Sequence, residues 1–476
     1  MAHDGAVNAL LQAFLFGLLL CGLSACQAPE LDQEAQPNIL LILIDDAGYV
    51  DFGFQGSVDL QTPHLDRLAE ESVIFEQAYV SASVCSPSRA GLLTGRYQQR
   101  FGHEFNLKGN HGLPLQEKTL AEALMQQGYR TAVVGKWHLG SSPEYHPMQR
   151  GFQHFTGLLG GSRSYFPMSV ENTGPQRLQR DGQFLDEEEE FTYLTDFLAA
   201  EAARIIQKPD PRPWFLYLAY TAPHTPMHPR EDWYQHFQSI EVEGRRKYAA
   251  MQASLDQSIG AVLEAVKASG EADQTLVVFL NDNGGATTNH SDNGPWRGMK
   301  GSKWEGGIRV PCMMRWPNRF QGGQKIEAPI SALDLFPTAL AAARADPQSW
   351  QPELDGINLL PFLRDQGAKA RKWEFPKRPL FWRRGPAAAV RLGDWKLIRV
   401  DDQESPLLFN LAEDPGETIN LASQHQDHTE NLLAALQNWE QELVEPLWDT
   451  GQYWRDNQRK KHRMDVIGRE AERKLP

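Results

Sequence analysis

The chain has 476 residues, of which 41% are hydrophobic and 10% aromatic. A folded chain of that length buries about three-quarters of its unfolded surface, so its core needs no disulfide staples, and the disulfide-scaffold and disordered classes are excluded. Lys and Arg number 47 against 61 Asp and Glu, a net charge of -14. Such a chain is no general polyanion binder and nucleic acid is not an expected partner, so an anionic substrate must be met by a local basic or metal-containing pocket.

Residues 1–25 read as an export signal. A mostly apolar run over 6–23, with Leu10-Leu11, Phe14-Leu15-Phe16 and Leu18-Leu19-Leu20, precedes Ser24-Ala25-Cys26. The tetrapeptide ending at Cys26 resembles the bacterial lipobox, which implies lipidation of Cys26 and a periplasmic or cell-surface lipoprotein, expected at the outer membrane. The n-region departs from that pattern: it carries Asp4 and no Lys or Arg before Leu10. An uncleaved anchor is the alternative, although a spanning helix usually needs about 20 apolar residues with basic flanks. Residues 26–36 form a polar linker. Of the four cysteines, Cys21 and Cys26 fall in this segment, and Cys85 and Cys312 are expected to be unbonded.

Past residue 37 short apolar runs alternate with helical patterns. Residues 39–44, Ile-Leu-Leu-Ile-Leu-Ile, lack period-2 alternation, the mark of a strand buried on both faces of a parallel sheet. Thr62-Pro63 opens a helix, with Thr62 as N-cap and Pro63 at the first turn. A helix starts at Thr119 and stops near Gly128, leading into a strand over 131–134. Strands over 214–220 and 275–280 enclose a helix over 248–268. This is an α/β plan, a large mostly parallel sheet sandwiched by helices, over 37–343. After a linker, β-like pieces at 380–383, 388–391, 395–400 and 407–410 and a helix over 430–443 indicate a smaller antiparallel α+β domain over 344–445. The charged tail, 446–476, reads as a solvated helix or frayed end rather than a polyanion-binding arm.

Ligands in open parallel sheets bind beyond the carboxyl ends of the strands, and four runs end in chemistry. They lead to Asp45-Asp46, to Gly135-Lys136-Trp137-His138, to Thr221-Ala222-Pro223-His224 and to Asn281-Asp282-Asn283-Gly284. One such Asp is often only a helix cap, but four convergent ends form a site. Oxygen donors from Asp45, Asp46, Asp282 and Asn283 favour a hard cation such as Ca²⁺ or Mg²⁺ over zinc. Ser291-Asp292-Asn293-Gly294 repeats the Asp-Asn-Gly tripeptide but follows no strand, and is expected to be a turn.

Cys85 precedes Pro87 at the start of an apolar stretch, a placement at a helix N-terminus. General chemistry leaves open a thiolate nucleophile or a buried structural residue. The run Cys85-Ser86-Pro87-Ser88-Arg89, followed by Leu93-Thr94-Gly95-Arg96, resembles the signature of formylglycine-dependent sulfatases, in the alkaline phosphatase-like superfamily. The resemblance extends over 37–423 and includes Thr62-Pro63-His64-Leu65-Asp66, Pro223-His224-Thr225-Pro226 and Arg297-Gly298-Met299-Lys300-Gly301.

The resemblance implies that a maturase oxidises Cys85 to formylglycine (3-oxoalanine), whose hydrate, held by one Ca²⁺, attacks sulfur. It implies metal ligands Asp45, Asp46, residue 85, Asp282 and Asn283, and contacts from Arg89, Lys136 and Lys300 to the diol and sulfuryl oxygens. His224 is implied as the acid for the leaving alcohol, and His138 as the base that expels sulfate. Lys303 is the rival to Lys300. His103 and Arg163 are candidates for binding a sulfated sugar, in the segments 100–106 and 160–165 read as crevice walls. His146, His154, His228 and His290 are expected to be structural or superficial. The expected function is hydrolysis of a sulfate ester on a carbohydrate or polysaccharide fragment. A phosphonate or phosphate ester hydrolase and a non-catalytic sulfoglycan-binding lipoprotein are the alternatives.

Overall fold

The computed structural model describes residues 35–464 apart from 170, 172–173, 351 and 364–374. The export signal, Cys21 and Cys26 lie outside the described residues. Six strands carry the main sheet: β1 (Asn38–Ile44), β2 (Arg130–Lys136), β3 (His154–Leu158), β4 (Trp214–Ala219), β5 (Thr275–Asn281) and β6 (Cys312–Arg315). Their spatial order is β6-β5-β1-β4-β2-β3. Every pair is parallel except β6 with β5. Short strands extend this sheet to ten at its two edges.

The lack of alternation in β1 has the cause read from the sequence: all seven residues are buried, because helices cover both faces. Leu41 and Leu43 face a core shared with Leu120 and Leu124, from the helix Leu120–Gln126. Leu40, Ile42 and Ile44 face Leu65 and Leu68 on one helix and Met251, Leu255 and Ile259 on another, Glu243–Ala268. Each such side chain contributes roughly 1.5–3 kcal/mol on burial.

Local signals worked unevenly. Thr119 closes a capping box with Glu122. Pro63 does open the helix Pro63–Glu70, but Thr62 makes no side-chain cap. Its hydroxyl instead donates to Asp66 at 2.9 Å and accepts from Gly53 N at 2.8 Å. The helix read over 248–268 starts five residues earlier, at Glu243. β3 carried no sequence signal, because His-Phe-Thr-Gly-Leu is neither an apolar run nor an alternation.

Beyond the main sheet, β7 (Leu380–Arg384), β8 (Ala387–Leu392), β9 (Trp395–Val400) and β10 (Leu407–Asn410) form an antiparallel meander. Leu432, Leu436 and Trp439 of the helix Gln426–Gln441 cover it. The described residues from Pro37 onward form one compact unit. Lys396 of β9 reaches Glu305 at 2.8 Å with both side chains fully buried, and Trp382 of β7 donates to Val80 O at 2.7 Å. The tail is helical over Gln452–Arg463, and Gln458 and His462 are buried, so the expectation of a merely solvated end holds only for its outer face.

Gly135 in β2 has φ +111°, and a Cβ there would stand 1.9 Å from Ala219 O of β4. No other residue fits between these strands. Gly135→Ala is expected to destabilise the fold by at least ~1–3 kcal/mol, seen as a lower urea midpoint; an unchanged midpoint would contradict the packing described.

Candidate active site

The strand ends converge because backbone bonds lock them in register. Asp282 N donates to Ile44 O at 3.0 Å, and Asp45 N to Ala222 O at 3.1 Å, so the turns after β1, β4 and β5 form one rim. Asp46 and His138 hold left-handed φ values of 64° and 56°. Non-glycine residues take that conformation mainly where the surroundings over-determine it, as at functional sites. Two residues fix the rim that the sequence reading did not assign this role. Tyr165 donates to Thr221 O at 2.7 Å and His224 O at 2.8 Å, and Asn289 donates to Asp46 O at 2.9 Å and Pro223 O at 3.1 Å.

Beneath the rim lies a buried charge cluster. Arg89 donates twice to Asp282 Oδ2, at 3.0 and 2.9 Å, and once to Lys136 O at 2.9 Å. Lys136 Nζ is 2.5 Å from Asp45 Oδ2, and Lys300 Nζ 2.6 Å from Asp46 Oδ1. The Asn283 amide donates to Asp46 Oδ1 at 2.7 Å. Burial opposes ionisation of Asp45, yet Lys136, with His224, Arg89 and Lys300, outweighs it and holds this carboxyl below its usual range. Asp282 moves the other way, raised by burial and by the Asp45 charge despite Arg89.

This donor set fits a hard cation. Oδ1 of Asp282 and Oδ1 of Asn283 are buried without a hydrogen-bond partner, which is costly unless something else satisfies them. One ligand atom from each of Asp45, Asp46, Cys85 and His224 lies within 4.8 Å of the others. Burial is the main cause that raises Asp282, and a divalent ion beside it would offset that cost.

Cys85 begins the helix Cys85–Thr94, all ten residues of which are buried. Its Sγ lies 3.1 Å from Lys300 Nζ and 3.6 Å from Asp45 Oδ1. Burial pushes the thiol up to about 12 in spite of Lys136 and Lys300, so the unmodified residue is a thiol rather than a thiolate at neutral pH. Ser86 N donates to Asn106 Oδ1 at 3.1 Å and fixes the helix start. His138 is held well below its ordinary value by burial and by the Lys136 and Arg89 charges, so its ring is neutral. His224 directs Nδ1 to Thr225 O at 2.6 Å, leaving Nε2 3.4 Å from Asp46 Oδ2.

The structure gathers Asp45, Asp46, Cys85, Arg89, Lys136, Lys300 and His224 in direct contact, with Asp282 and Asn283 bonded into the group. Two expectations are corrected. Arg163 is not a crevice contact: its guanidinium is fully buried and pairs with Glu187 at 2.5 and 2.8 Å. His103 is equally inaccessible, with Nε2 2.7 Å from Ser86 Oγ, and braces the Cys85 helix from below. Of the rival lysines, Lys300 reaches Cys85, whereas Lys303 Nζ donates to Ser83 Oγ at 3.2 Å. Asp292 Oδ1 accepts from Gly294 N at 2.9 Å, as a turn residue does. None of His146, His154, His228 and His290 adds a ligand atom to the group formed by Asp45, Asp46, Cys85 and His224.

Residues 37–345 match the family model described as Sulfatase. The chain belongs to the sulfatase family. Residues 299–444 also match the model for the C-terminal region of N-sulphoglucosamine sulphohydrolase. The N-acetylgalactosamine-6-sulfatase of Mus musculus is 31% identical, with 91% of each chain covered, and that of Homo sapiens 32%, with 89% of this chain and 88% of the other. Among solved structures, Ps i-CgsB in complex with k-i-k-neocarrahexaose is similar with a TM-score of 0.81 and 34% identity, covering 90% of this chain and 98% of that one. The sulfatase is thus a sulfuric ester hydrolase of the alkaline phosphatase-like fold.

If the strand-end pair is the ligand pair, Asp282→Asn should purify with its divalent metal content reduced several-fold, while Asp292→Ala keeps the wild-type content. Elemental analysis of the two proteins reads this directly, and the opposite pattern would move the site to the second Asp-Asn-Gly.

Proposed function

We propose that this sulfatase hydrolyses a sulfate ester on a sulfated carbohydrate or polysaccharide fragment, using a formylglycine made from Cys85 by a maturase and one bound Ca²⁺. The observation that carries the reading is the setting of Cys85, which opens a buried helix beside Lys300, Asp45 and the unpartnered oxygens of Asp282 and Asn283. Such a position suits an oxygen nucleophile near a hard cation better than sulfur chemistry. Asp45, Asp46, residue 85, Asp282 and Asn283 would hold Ca²⁺. The ion would supply positive charge towards the sulfuryl oxygens, and formylglycine a nucleophilic oxygen.

The remaining work falls to side chains in place. Lys136 and Lys300 face the position where charge develops, fixed by Asp45 and Asp46, and need no reorganisation during the reaction. Arg89, clamped by Asp282 and Lys136 O, keeps the floor rigid and positive. A carbonyl can only accept, so the Thr225 contact places a proton on Nδ1 of His224 and directs Nε2 into the site. Burial lowers His224 while the Asp45 and Asp46 carboxylates work against that shift, and a second proton held on Nε2 would be the one given to a leaving alcohol. Neutral His138, with Nδ1 unpartnered, can accept a proton when sulfate departs.

The carbohydrate part is supported by two similarities: the relatives named N-acetylgalactosamine-6-sulfatase, and the Ps i-CgsB structure in complex with k-i-k-neocarrahexaose. Export with a lipid on Cys26 completes the proposal, placing the catalytic body in the periplasm or at the cell surface. Radiolabelled palmitate incorporated by wild type and absent from Cys26→Ala checks that part.

Cys85→Ala should lose sulfate release to background and keep the wild-type melting temperature. Mass spectrometry of the tryptic peptide 68–89, from protein made with a maturase, should show the aldehyde at position 85. Retained activity in Cys85→Ala would overturn the formylglycine reading. Wild-type enzyme should also turn over aryl sulfates in preference to matched aryl phosphonates; the reverse order would make it a phosphonate ester hydrolase.

A further inference from the structure

The helix Gln452–Arg463 closes over the loop carrying Lys300. His462 Nε2 accepts from Lys303 N at 2.9 Å, Lys461 Nζ donates to Lys300 O at 2.6 Å, and Met464 packs on Met299. Gly301, with φ +90°, lies under this contact. From a Cβ placed there, Lys461 Nζ would be 2.9 Å away, Gln458 Nε2 3.2 Å and Arg384 Nη1 3.5 Å. Two cations and an amide therefore converge on the residue next to Lys300, whose own Nζ touches Cys85 Sγ.

These cations lack counter-charges. Arg384 is only 5% exposed, its Nε is buried without a partner, and the nearest aromatic ring, Phe105, stands 5.9 Å away. The neighbouring carboxylate, Glu104, is taken by Arg383 at 2.9 Å and by Gly385 N at 2.7 Å. Among the described residues no carboxylate is within ion-pair distance of Arg384 or Lys461. Arg89, Arg163 and Arg245 are as deeply placed, and each meets a carboxylate. Burial, with the neighbouring positive charges, holds Lys461 down to about 7, and burial holds Arg384 to about 10. A buried cation without a partner, as Arg384 is, is strongly unfavourable, and an incoming anion removes that penalty; the half-buried Lys461 stands beside it. In the reading proposed above, the reacting sulfate would face Lys136 and the ammonium end of Lys300 rather than this place. The neighbouring Lys300 side chain is 16% exposed and Lys461 is partly exposed, so solvent reaches this edge of the group.

We propose that Arg384, Lys461 and Gln458 form a second oxyanion subsite, which takes a further sulfate or carboxylate of the substrate, on the same sugar or the adjoining one. The inference rests on the reading of the substrate as a sulfated carbohydrate, and it gives the C-terminal helix a part in specificity.

The test compares kcat/KM for sulfate release from three disaccharides that share the scissile sulfate: one with no other charge, one with a second sulfate and one with a uronate carboxylate. Wild type should favour at least one doubly charged substrate, and which one identifies the source of the oxyanion. In Arg384→Met and in Lys461→Met that preference ratio should fall about tenfold, the loss expected for a charged hydrogen bond. Lys461 lies on a partly exposed helix, so its variant keeps the test valid if Arg384→Met does not fold. A wild type without preference, or a ratio unchanged in the variants, overturns the subsite and leaves the hydrolase reading intact. No sulfate release from any of the three, with aryl sulfate still cleaved, overturns the carbohydrate reading and the subsite together.

Discussion

The burial of ionised groups beneath the strand ends is the constraint on which the rest of the molecule depends. Asp45, Asp282, Arg89 and Lys136 are almost wholly removed from water. Charges in that position are tolerated only with partners at hydrogen-bond distance, and removing one partner costs several kcal/mol. The sheet supplies those distances. Parallel pairing of β1 with β4 and β5 brings Asp45 and Asp282 to one level, and β2 adds Lys136 beside them. A one-residue slip in any of these pairs would turn a charged side chain into the apolar core.

The same constraint orders the chemistry. Burial, with the neighbouring Asp45 charge, pushes Asp282 upward, and one oxygen each of Asp282 and Asn283 has no partner. A hard divalent ion meets both demands. The geometry also separates the two histidines: His138, buried among Lys136 and Arg89, stays neutral, while His224 faces Asp46 and is oriented by Thr225. Two imidazoles in one pocket are thereby set in different surroundings, one among cations and one facing a carboxylate. In the proposed reading, an acidic protein accepts an anionic ester because part of its negative charge would hold a cation.

Much of this was legible in the sequence, for identifiable reasons. The run Ile-Leu-Leu-Ile-Leu-Ile could only be a doubly covered strand, and the residues following each such run were the ones that converge. Asp282 rather than Asp292 followed from its place after a strand, whereas Lys300 rather than Lys303 rested on the family resemblance. Residues acting through shape or long-range contact were hidden. Arg163 carried a plausible charge for a sugar contact, but its partner Glu187 lies 24 residues on, in a run of four glutamates with no signal of its own. His103 differed from a ligand only by burial. Asn289 and Tyr165 work through backbone carbonyls of distant turns, and β3 was obscured by its glycine and histidine. The tail helix was misjudged for a similar reason: its basic surface suggested solvation, while Gln458 and His462, one turn apart, form the face that docks.

The central claim is that this buried cluster directs attack at the sulfur of a sulfate ester. Hydrolysis of a sulfated oligosaccharide in water enriched in heavy oxygen tests it most directly, with the products read by mass spectrometry. The account predicts solvent oxygen in the released sulfate and none in the sugar hydroxyl. Label in the hydroxyl would mean that the carbon–oxygen bond breaks, and would contradict the assignment of Cys85, Lys136, Lys300 and His224 to chemistry at sulfur.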